Sequence, residues 1–138
     1  MWPFKSNDQL DEIVRQRWKS QWVLCDLYTQ DAKAANSARK TANYIYSLVK
    51  NLDFPVLISY RKSIPHTMES PRIWDGSVRF AWPSSQDIGI DYHGFDFESN
   101  LVKRGFTKFG FSLIPRDNFD EMLKSAFSGG VIRCNFKK

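Results

Sequence analysis

The sequence predicts an α+β domain: a mostly antiparallel sheet of about five strands, covered on one face by a long N-terminal helical region and one C-terminal helix. Three observations predict it. No Gly or Pro occurs between Pro3 and Pro55, and all seven glycines lie at or after Gly76. Within that breaker-free third, apolar and small residues step by threes and fours, which is helical spacing. From Val78 to Ile114 the apolar residues instead recur at every second position, the period of strands with one face on a core.

The helical region is placed at 7–52, after a flexible start at 1–6. Ser6 and Gln9 have the spacing of a capping box, and Asp8, Asp11 and Glu12 put negative charge at the positive end of the helix dipole. The series Leu10, Val14, Trp18, Gln21, Cys25, Tyr28, Ala32, Ala35, Ala38, Ala42, Ile45, Val49, Leu52 then runs without interruption. It reads as two segments, about 7–29 and 30–51, because Thr29-Gln30-Asp31 and Asn36-Ser37 carry short polar side chains that compete for backbone hydrogen bonds. The turn Trp22–Tyr28 is apolar nearly all round, as expected of a helix covered on more than one side or of a subunit seam.

Pro55 ends the helical region. Val56–Tyr60 reads as a buried strand, and residues 61–77 as a long polar connection with two prolines and an Asp-Gly turn. Further strands are expected at 77–82, 87–92, 106–114 and 131–136. Apolar positions shift phase beside Gly94, the mark of a bulge or tight bend. Between the last two strands, Phe119, Met122, Leu123, Ala126 and Phe127 form one helical stripe at 117–128, with Asp117 as N-cap and Gly129 at its end. This helix is expected to pack on Phe109, Phe111 and Leu113. As a right-handed crossover, the unit 106–136 would give the sheet one parallel pair. The whole chain, 1–138, is read as one domain, with the sheet and its helix in 55–138.

Composition sets broad limits. The 138 residues are 42% hydrophobic and 25% charged, ordinary for a globular chain and unlike a disordered one. The net charge of +5 permits an acidic partner, yet the basic residues are scattered, with pairs at Arg39-Lys40, Arg61-Lys62, Lys103-Arg104 and Lys137-Lys138. The two cysteines, Cys25 and Cys134, lack metal-ligand spacing and read as buried thiols of a reducing compartment. The polar turn after Phe4 is unlike a signal peptide, and no apolar run reaches membrane-spanning length. A cytoplasmic location is therefore expected.

No motif specifies a chemistry. Asp91, His93, Asp96 and Glu98 are the residue types that ligate a divalent cation. However, a strand with a wet outer face gives the same alternation, so no metal is assigned. His66 and His93 form a pair of general acid–base type, but nothing in the sequence brings them together. The nucleophile-elbow, phosphate-loop and zinc spacings are all missing. No catalytic residue, metal ligand or cofactor is expected.

The function expected is that of a non-catalytic protein-binding module, such as a small bacterial or phage accessory, inhibitor or immunity-type protein. The first alternative is a nucleic-acid binder using a basic surface that includes Lys103, Arg104, Lys108, Arg133 and Lys137. The second is a small metal- or His-dependent hydrolase. The partner expected is a protein, with nucleic acid next and no membrane; a homodimer would form through Trp22–Tyr28 and the small residues at 32–42. The contact surface is placed on the long connection, at Arg61, His66, Met68, Arg72 and Trp74. Trp and Arg are enriched among binding hot spots, and long loops in compact domains tend to carry function.

Overall fold

The structure, a computed structural model, describes residues 12, 14–29, 38–65, 74–88, 100–106, 108–126 and 131–134. In chain order its elements are β1 (Trp22–Thr29), α1 (Ala38–Val49), β2 (Leu57–Pro65), β3 (Trp74–Pro83), β4 (Lys108–Ile114), a 3-10 turn (Arg116–Asn118), α2 (Phe119–Ala126) and β5 (Val131–Cys134). Helical turns also occur at 14–17 and 100–103. The architecture is α+β, as expected.

The sheet runs in the order β4-β1-β3-β2-β5; its four longer strands form the body, and the four-residue β5 lies against β2. Every pairing is antiparallel. The expected parallel pair does not form: β4 and β5 run in the same direction but sit at opposite edges.

The main correction concerns residues 22–29. They are not helical; they form an interior strand, with Cys25 paired to Phe80 on one side and Phe111 on the other. Trp, Val, Tyr and Thr favour strands. A strand buried on both faces reads as a continuous apolar run, which periodicity alone does not separate from a buried helix. The expected dimer seam at Trp22–Tyr28 is therefore used inside the fold. Trp22, Cys25 and Leu27 are fully buried, and Ala38 and Ala42 are core residues.

Both sheet faces are covered, not one. On the first face Cys25, Leu27, Ile58, Tyr60, Val78, Phe80 and Trp82 pack with Ala38, Ala42, Ile45 and Val49 of α1 and with Leu101 and Phe106. On the second, Trp22, Leu24, Leu57 and Ala81 pack with Phe119, Met122 and Leu123 of α2 and with Val14. Thus α2 does not lie on Phe109, Phe111 and Leu113, whose register partners place them on the face that holds Cys25. Nor does Asp117 cap it: Asp117 lies inside the 3-10 turn, whose N-cap is Pro115.

The expected connection at 61–77 is also shorter. β2 continues to Pro65 and β3 begins at Trp74, joined by the register pairs Arg61–Ser77, Ile64–Asp75 and Pro65–Trp74, with a shift between Arg61 and Ile64. β5 pairs with β2 only at 57–60, so this part of the hairpin extends past it. Of the strand expected at 87–92, Asp87 and Ile88 are not in a strand, and the rest lies outside the described residues.

Candidate functional site

Among the described residues β4 is an edge strand, paired to β1 on one side. Four consecutive residues in it, Gly110, Phe111, Ser112 and Leu113, are exposed. Because strand side chains alternate, these four residues open both sheet faces at this edge. On the α1 side, Phe111 is 41% and Leu113 63% exposed, and Leu113 is the register partner of half-buried Val23. An edge strand with exposed large apolar residues is a template for another chain.

On the α2 side the same edge is polar. α2 has eight residues and packs on the end of the sheet that holds Trp22, Leu24, Leu57 and Ala81. Toward the other end the same face presents Asp26, Tyr28, Ser77, Arg79 and Gly110 by register. Asp26 and Arg79 are register partners, and Asp26 Oδ1 lies 2.6 Å from Arg79 Nε. A Cβ on Gly110 would meet nothing within 4 Å, so packing does not require glycine there.

Desolvation by burial, aided by the Asp26 carboxylate, pushes the Cys25 thiol far above its ordinary value. A protonated, buried thiol is a poor nucleophile. Among the described residues, no group of three or more His, Cys, Asp or Glu is placed to hold a metal ion. The groove lined by Arg15, Asp120, Glu121 and Lys124 is mixed in charge, and Asp120 in it accepts both Arg15 Nε at 3.0 Å and Lys19 Nζ at 3.4 Å. No helix among the described residues is long and apolar enough to cross a membrane.

Of the residues placed at the contact surface, Arg61 falls in β2 and Trp74 in β3. His66, Met68 and Arg72 lie outside the described residues, as do Asp91, His93, Asp96, Glu98 and Lys137. Pro65 and Trp74 pair near the end of the sheet that carries Tyr28 and Ser77. The 66–73 connection therefore starts and ends at the polar end. Lys103 and Arg104 lie beside α1, with the Arg104 guanidinium 4.6 Å from the centre of the Tyr44 ring.

Sequence reasoning missed the β4 edge because Phe109, Phe111 and Leu113 alternate like a core strand. The available signals were Lys108, Gly110 and Pro115, residue types that mark edges and strand ends. No family model, curated protein or solved structure matches the chain.

Proposed function

We propose that the protein is a non-catalytic protein-binding module that uses the β4 edge as its contact surface. The exposed run Gly110–Leu113, with Phe111 and Leu113 on one side, carries this reading. A partner strand laid along the β4 edge would make main-chain hydrogen bonds there, with the exposed side chains of Phe111 and Leu113 as apolar anchors. The polar hairpin end, with His66, Met68 and Arg72 in its connection, is a second contact within the same reading. The buried thiol of Cys25 supports a reducing, cytoplasmic setting.

The test is affinity capture from the native host with three baits: the wild type, Leu113→Lys and Arg72→Ala. A specific partner retained by the wild type and lost with Leu113→Lys, at unchanged melting temperature, supports the edge. Loss with Arg72→Ala alone moves the contact to the hairpin. A partner held equally by all three overturns both placements.

A further inference from the structure

The outer layer over the α1 face is basic, in contrast to the α2 side. Arg39, Lys40 and Lys50 are exposed along and just after α1, and Lys103 is exposed on the neighbouring turn. Arg104, stacked on Tyr44 of α1, joins that turn to the helix. Residues 38–53 and 100–106 contain five Lys or Arg against one acid, Asp53. On the α2 side, by contrast, Asp120 answers Arg15 and Lys19.

Helix geometry arranges these charges. Ala38, Thr41, Ala42, Ile45 and Val49 face the core. The opposite side therefore carries Lys40, Asn43 and Ser47, with Arg39 and Lys50 flanking them, all exposed. At a rise of about 1.5 Å per residue, Arg39 and Lys50 stand roughly 16 Å apart along the axis. Between the cations, exposed Asn43 offers an amide that can bond a phosphate oxygen, with half-buried Tyr44 and Tyr46 and exposed Leu48 alongside.

From this we infer that the α1 surface, formed by Arg39, Lys40, Lys50, Lys103 and Arg104, docks the phosphate backbone of nucleic acid. This surface is separate from the β4 edge and does not depend on the protein-binding reading. Cation–phosphate contacts release counterions, so binding must weaken steeply with salt.

The experiment is fluorescence anisotropy with a labelled 20-base-pair DNA of mixed sequence and the matching single strand, across a salt series. Three to five contacts predict a log–log salt slope of about −2.7 to −4.5 on the duplex. The triple variant Arg39→Ala/Lys40→Ala/Lys103→Ala is expected to bind at least about tenfold more weakly, with a slope shallower by up to about 2.7. Arg15→Ala/Lys19→Ala, on the α2 side, is expected to bind as the wild type does. Binding by either probe that is lost only in the α1 variant supports the proposal. It is overturned by a slope flatter than about −1, by equal loss in the α2-side variant, or by tight binding of polyglutamate with none of either nucleic acid.

Discussion

Arg79 Nε lies 2.6 Å from Asp26 Oδ1, across the two interior strands β1 and β3. The side chains remain 39% and 41% exposed, so solvent screens the pair, while the two contacting atoms are themselves enclosed. The ladder holds both residues opposite each other, which lowers the entropy cost of the contact. A double-mutant cycle with Asp26→Asn and Arg79→Gln is expected to give a coupling of about 1 kcal/mol, the upper end for exposed pairs. Denaturant titrations repeated at about 1 M salt should reduce it. A coupling of zero at low salt would mean the pair contributes no stability.

Two leucines separate the covered and open parts of the sheet. Leu123, 3% exposed, packs with Trp22, Leu24, Leu57 and Ala81; Leu113 is 63% exposed at the edge. Leu123→Ala is expected to cost roughly 2–5 kcal/mol. Leu113→Ala should cost less than about 0.5 kcal/mol. Reversible urea titration measures both, and equal costs would contradict the placement of α2.

The elements that could be read from the sequence are those whose surroundings impose a single pattern. Phe119, Met122 and Leu123 bury one stripe of α2, so their spacing is helical. Val78, Phe80 and Trp82 share a face of β3 as the alternation indicates. β1 could not be read in this way. Trp22 and Leu24 enter one core while Cys25 and Leu27 enter the other, so burial on both faces erased the alternation. The hairpin beyond Tyr60 was illegible for the opposite reason: it extends past β5 and its polar sequence needs no apolar face. The β4 edge was misread because whether a strand is interior or at an edge depends on long-range pairing. Phe111 and Phe80 share a face with Cys25 between them, yet Phe80 is fully buried and Phe111 is exposed.

Trp22 ties the segment before β1 to α2. Its Nε1 donates to the Trp18 carbonyl oxygen at 2.9 Å, and its ring centre lies 5.8 Å from that of Phe119. Trp22→Phe keeps an aromatic ring but removes the donor and leaves a void. A loss of about 2 kcal/mol is expected. The Trp18 amide, which donates to the Val14 carbonyl oxygen at 2.8 Å, should also exchange faster. Hydrogen exchange by NMR checks this, and unchanged protection of Trp18 would show that the clamp is not needed.

The final prediction concerns Cys25 and alkaline pH. Its thiol is buried, and β3 and β2 separate its strand from that of Cys134. Three strand spacings of about 4.8 Å put the two strands roughly 14 Å apart, beyond the reach of a disulfide. Cys25 should therefore stay reduced in the native chain. In a Cys134→Ser background, a disulfide reagent should react with Cys25 only as fast as the chain opens, since the thiolate is the reactive form. The folded chain keeps the proton because burial and the Asp26 charge both raise the pKa; the unfolded chain releases it near the ordinary value of 9.0. Above that pH the unfolded state binds fewer protons than the folded state, so the contribution to stability is full below pH 9.0 and declines as pH rises. The decline is about 1.4 kcal/mol per pH unit from this group. Cys25→Ala removes the titrating group, so its stability should fall less steeply than the wild type between about pH 9 and 10.5. Denaturant titrations at matched pH measure the two slopes. Parallel slopes would mean that the Cys25 thiol is not held neutral by the fold.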